Sequence, residues 1–124
     1  MADFIMDSEA KQSGLKSLAD QITKQTTSAS TNSSVVNSSP VNRVAKVAGL
    51  CVWNANMNLK ATATTSTVIA TLPSGYRPAC DVRFAGRRGS AVDMFTINTN
   101  GELMTLLNSA NNGDYISFSV AFDV

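Results

Sequence analysis

The sequence predicts an all-β protein: a small antiparallel β-sandwich of jelly-roll type, preceded by a short N-terminal helix and an extended linker. Three observations lead there. From Val44 onward, short runs rich in Val, Ile, Thr and aromatic residues recur between Gly, Pro and Asn punctuation. Asn100-Gly101 and Asn112-Gly113 each separate two such runs, and Asn-Gly readily takes the positive φ of tight hairpin turns. Between residues 26 and 40 the chain is almost entirely Ser, Thr, Asn and Val, a composition that cannot bury enough surface to form a core.

In order along the chain, residues 8–25 (SEAKQSGLKSLADQITKQ) predict a helix. Ser8 can cap it, and Leu15, Leu18 and Ile22 recur at three- and four-residue spacing along one stripe. Gly14 weakens it by roughly 1 kcal/mol relative to alanine. A helix this short is marginal alone, so its stripe calls for a partner: its own domain, another copy, or a host structure. We take residues 1–25 as an anchor helix and 26–43 as a linker. The Asn32 and Asn37 glycosylation-type triplets arise readily by chance in such a segment and are discounted.

Residues 44–124 form the expected head. Strand-like runs cover 44–53, 57–64, 66–72, 81–86, 90–98, 102–108 and 114–124, the last three as a meander. In the final run Ile116, Phe118, Val120 and Phe122 alternate with Tyr115, Ser117, Ser119 and Ala121. Two other runs are apolar on both sides: Phe95 and Ile97 oppose Val92 and Met94, while Leu103 and Leu107 oppose Met104 and Leu106. A small sandwich has one inner face per sheet, so the surplus predicts self-association. Phe95, Ile97, Phe118 and Phe122 are the candidates for that contact, and Leu15, Leu18 and Ile22 for the anchor.

Composition narrows the chemistry. The net charge of +1 over 124 residues argues against a nucleic-acid partner. No apolar run approaches the ~20 residues that span a bilayer, and the acidic start lacks the features of a secretory signal; synthesis in a cytoplasm is expected. With no histidine, Ser-His-Asp, Cys-His and histidine–metal arrangements are unavailable. Asp81, Asp93, Glu102 and Asp114 are scattered, whereas a glycosidase needs two carboxylates ~5–10 Å apart. The expectation is no enzyme, no cofactor and no metal. Cys51 and Cys80, both in apolar surroundings, read as buried thiols, with a disulfide left open.

The order of VIATLPSGYRPACDVRF, FTINTNGELMTL and NNGDYISFSVAF resembles the C-terminal head domains of bacteriophage tail-fibre, baseplate receptor-binding and head-fibre proteins, over residues 44–124. The resemblance implies a homotrimeric β-sandwich head on the virion surface, held to another virion protein through residues 1–43 and often binding host-surface saccharide. The chain lacks the shaft and long heptads of a tail fibre. A capsid decoration or head-fibre protein without a specific receptor therefore stays open, as does an unrelated cytoplasmic binding module.

Within the corner TLPSGYRPACDVRFAG, Pro73 ends a strand, Gly75 permits a turn, and Pro78 holds Arg77 extended. Its structural role outweighs ligand binding, with Tyr76 as the residue that would touch a ligand. In AGRRGS, Arg87 and Arg88 are expected in a glycine-flanked turn, where paired guanidiniums suit phosphate or carboxylate groups. Trp53 is a further candidate for stacking on sugar, or else a core residue.

Overall fold

Over residues 53–59, Trp53, Ala55, Met57 and Leu59 are buried and alternate with Asn54, Asn56 and Asn58, so one side of this strand must face a core. The same alternation recurs through the computed structural model, which describes residues 23–107, 109–111 and 113–124. Its strands are β1 (Gln25–Thr27), β2 (Ser30–Thr31), β3 (Val36–Val47), β4 (Leu50–Leu59), β5 (Ala70–Thr71), β6 (Val82–Arg88), β7 (Ala91–Ile97), β8 (Glu102–Thr105) and β9 (Tyr115–Asp123). The described residues contain no helix. Most of the helix expected over 8–25, with Leu15, Leu18 and Ile22, lies outside them; Gln25 already opens β1.

The strands form one curled antiparallel sheet in the order β1-β3-β4-β9-β6-β7-β8-β5-β2, rather than two stacked sheets. The two ends of that order, β1 and β2, are separated in the chain only by Ser28 and Ala29. Three residue steps reach at most about 10 Å, so the sheet curls until its edges nearly meet. Residues 26–43, expected as an extended linker outside the head, include the strands that stitch those edges. β1 pairs with β3 through Gln25↔Lys46, and β2 pairs with β5 through Ser30↔Thr71. Between them Ala29 is buried and clamped: its N–H donates to Asn42 Oδ1 (3.2 Å), and its carbonyl accepts from Asn42 Nδ2 (2.7 Å). Trp53 Nε1 donates to the same Asn42 oxygen at 3.0 Å, tying the seam to the core.

Three boundaries differ from expectation. The apolar run at 44–53 is a hairpin, because Ala48 and Gly49 both take positive φ (49° and 82°) and reverse the chain between β3 and β4. The 66–72 run is a strand only at Ala70–Thr71. The final meander is interrupted: β7 and β8 pair, but β9 inserts between β4 and β6.

β6 meets β9 only at Arg87↔Ser117 and Arg88↔Ile116. Gly86 marks the crossing. A Cβ there would lie 2.9 Å from the Phe95 ring and from the Ser117 carbonyl oxygen, and 3.0 Å from Phe118 Cβ. Below the crossing Phe84 packs into an aromatic cluster with Phe95 (5.9 Å between centroids) and Phe118 (5.0 Å), and Trp53 meets Phe118 edge-on at 5.1 Å. Phe95, Ile97, Phe118 and Phe122 are therefore buried in the chain's own core and offer no surface to another copy. The apolar side chains that β7, β8 and the following turn leave outward are Val92 and Leu107, exposed, and Met94, Met104 and Leu106, half-buried.

Candidate functional site

The outward side of β3, β4 and β9 is polar over half its length, because the strand period places Asn54, Asn56 and Asn58 there together with Tyr115, Ser117 and Ser119. Register aligns them in rows: Asn54 with Ser119, Asn56 with Ser117, and Asn58 with Tyr115. β6 adds Arg87 opposite Ser117. The Gly89-Ser90 turn folds over this corner, with the Gly89 N–H donating to the Tyr115 carbonyl at 2.7 Å. The result is an open cleft of about 240 Å³ lined by Asn56, Arg87, Gly89, Tyr115 and Ser117.

Of the two arginines expected to act together, only Arg87 lines this cleft. Both lie in β6 rather than in a turn, so their side chains leave on opposite faces. Arg88 Nε binds Asp93 Oδ2 at 2.7 Å, and its Nη1 lies 3.7 Å from Asp114 Oδ2. That hydrogen bond to Asp93, strengthened by both carboxylates, holds the Arg88 pKa above its ordinary value, against a smaller opposing effect of burial. Asp93 Oδ1 also accepts the Met94 N–H, and Asp114 Oδ2 accepts that of Asn111. Two carboxylates that sequence gave no reason to pair are thus joined across one guanidinium, where they brace the turn beside the cleft. The side chain of Arg87, by contrast, forms no ion pair or hydrogen bond among the described residues.

The other two sugar-binding candidates lie elsewhere. Trp53 is fully buried, so its ring cannot stack on a ligand. Tyr76 is half-buried under Lys46, whose Nζ sits 4.7 Å from the ring centroid and donates to the Gly75 carbonyl at 2.7 Å. The whole corner plugs the far end of the curled sheet. Arg77 Nε binds the Leu72 carbonyl (3.0 Å), and the Ala79 N–H binds that of Asp123 (2.9 Å).

Asn56, Tyr115 and Ser117 were missed as site residues. Their alternation was visible in NANMN and YISFS, but nothing local shows that these two strands are neighbours. The Oδ1 atoms of Asn56 and Asn58 are buried without a hydrogen-bond partner, leaving acceptors at the cleft and beside it. The cysteines separate: Cys51 is buried and Cys80, contrary to expectation, exposed, and both are free. Burial pushes the Cys51 thiol above its ordinary 9.0, opposed in part by Lys46. Among the described residues no group of three or more Cys, Asp or Glu is placed to hold a metal ion.

No protein-family model matches the sequence, and no curated protein matches it. A solved structure does: the receptor binding protein (gp15) of Listeria phage PSA, at TM-score 0.59 and 12% identity, covering 97% of this chain and 82% of that one. The fold resembles that of a phage receptor binding protein. At this identity the likeness is one of fold alone.

Proposed function

We propose that this chain is a non-enzymatic bacteriophage virion surface protein that binds host-surface glycan through the cleft at Asn56, Arg87, Tyr115 and Ser117. The observation that carries this is the convergence, on a phage receptor-binding-like fold, of an uncommitted guanidinium with a half-exposed Tyr ring. An amphipathic ring covers a sugar face, Asn and Ser side chains exchange hydrogen bonds with hydroxyls, and the guanidinium takes a charged substituent. An open cleft of this size suits one or two sugar units held weakly. Useful avidity then comes from several copies acting together. A homotrimer on the virion, attached through the N-terminal residues, supplies them, with the outward Val92, Met94 and Leu106 side of β7 and β8 as the face between copies.

The test is retention of the full-length protein on purified cell walls from a panel of bacterial hosts. Specific retention on some walls is expected, reduced about tenfold by Tyr115→Ala, on the scale of one lost aromatic contact. Absence of retention on every wall would favour capsid decoration instead.

A further inference from the structure

The polar rows of the cleft continue beyond it. Val41–Asn56–Ser117–Arg87 is flanked on one side by Ser38–Asn58–Tyr115 and on the other by Arg43–Asn54–Ser119. Residues paired across strands share a face, so Arg43 and Arg87 stand on the same side of the sheet, at opposite corners of a field of Asn and Ser. Of the residues in these three rows, only the two arginines are charged. The Arg43 side chain is exposed and, like that of Arg87, forms no ion pair or hydrogen bond among the described residues. Asn56, in the row that Arg87 ends, carries an acceptor without a partner. Three strand spacings, about 14 Å, and two residue steps, about 7 Å, separate Arg43 from Arg87, so their Cα atoms lie at most about 16 Å apart.

We infer that the ligand of this face is an anionic glycan chain crossing the strands diagonally from Arg87 to Arg43, with a carboxylate or phosphate group held at each end of the span. The inference rests on the glycan reading above and adds a second charged subsite to it. A guanidinium with no partner of its own grips an oxyanion through forked hydrogen bonds, and none of these rows holds a carboxylate that would repel one. Between the two cations, Asn54, Asn56, Ser117 and Ser119 offer the acceptors and donors that sugar hydroxyls need. Single-stranded nucleic acid fits less well, because it calls for several exposed rings on which successive bases stack. Tyr115 is the one aromatic residue in these rows. Two weak contacts on one chain reinforce each other, since the first holds the second anion at high effective concentration.

The test measures retention of the full-length protein on purified bacterial cell walls. Arg43→Gln is expected to lower retention about fivefold, Arg87→Gln about tenfold and the double variant about fiftyfold, since separated sites add. Salt should weaken the wild type more steeply than either single variant. Arg83→Gln, on the same side of β6 but outside these rows, removes the same charge and should leave retention unchanged. An unchanged thermal transition in each variant shows that it has folded. Loss of retention after amidation of the wall carboxylates assigns the anion to carboxylate, and loss after cold hydrogen fluoride, which cleaves phosphodiesters, assigns it to phosphate. Retention that survives both treatments would overturn the inference, as would an equal loss in Arg83→Gln and Arg43→Gln. If Tyr115→Ala and Arg87→Gln lower retention while Arg43→Gln does not, the cleft stands and the second subsite falls. If no wall retains the wild type, both fall.

Discussion

The two ends of one sheet face share strands and a core yet present opposite chemistry. At the cleft end, Asn56, Asn58, Tyr115 and Ser117 back onto Ala55, Phe118 and Met57; at the hairpin end, Ala45, Val47, Leu50 and Val52 back onto Val44, Trp53 and Cys51. The inward residues are interchangeable in kind, because a core asks only for apolar volume. The outward residues are not. A solvated sheet face is normally polar, so the Asn/Ser/Tyr end is at home in water while the Val/Leu end is suited to a covered contact. The difference gives one sheet face two chemically distinct ends.

Substitutions that break this contrast rank by how deeply they cut. Arg88→Ala removes the guanidinium from the buried Asp93 and should cost about 3–5 kcal/mol, read by urea denaturation. Gly86→Ala drives a methyl into Phe95 and the Ser117 carbonyl, at the crossing behind the cleft. A loss of about 1–3 kcal/mol is expected. Arg87→Ala, one residue from each, should leave stability within about 0.5 kcal/mol while lowering cell-wall retention about tenfold, or ~1.4 kcal/mol. If Arg87→Ala and Arg88→Ala behaved alike, the division of the pair between cleft and brace would fail.

At the hairpin end Ala48 holds φ at 49°, a conformation that costs an L-residue about 1 kcal/mol. Asn tolerates it better, so Ala48→Asn should raise the urea midpoint slightly without altering cleft binding. The smallest effect is chemical. In the native protein a thiol reagent should modify Cys80 quickly and Cys51 only on unfolding. Because the folded Cys51 pKa is raised, its contribution to stability is complete below pH 9.0 and declines as pH rises beyond that. The gap between wild type and Cys51→Ala should narrow over that range.

Much of this was legible locally. The alternation in YISFSVAF placed Ile116, Phe118, Val120 and Phe122 on the buried side, as observed, and the TLPSGYRP corner turns the chain without forming the cleft. Elsewhere local signals misled. AGRRGS read as a loop because glycines flank the arginines, yet Gly86 lies within β6, where it admits β9. The polar segment at 26–43 read as an extended linker separate from the head because it cannot form a core, but backbone groups pair whatever side chains they carry.

What the sequence determined by itself was the all-β class, which side of a strand faces inward, and several of the turns, since these depend on neighbours in the chain. The tertiary structure alone decided that β9 lies between β4 and β6, that residues 25–31 close the sheet, and that Arg87 lines one cleft with Asn56 and Tyr115. Every strand edge offers the same N–H and C=O groups, so period-two alternation selects a face but not a partner. Partners are settled only when the whole core packs at once.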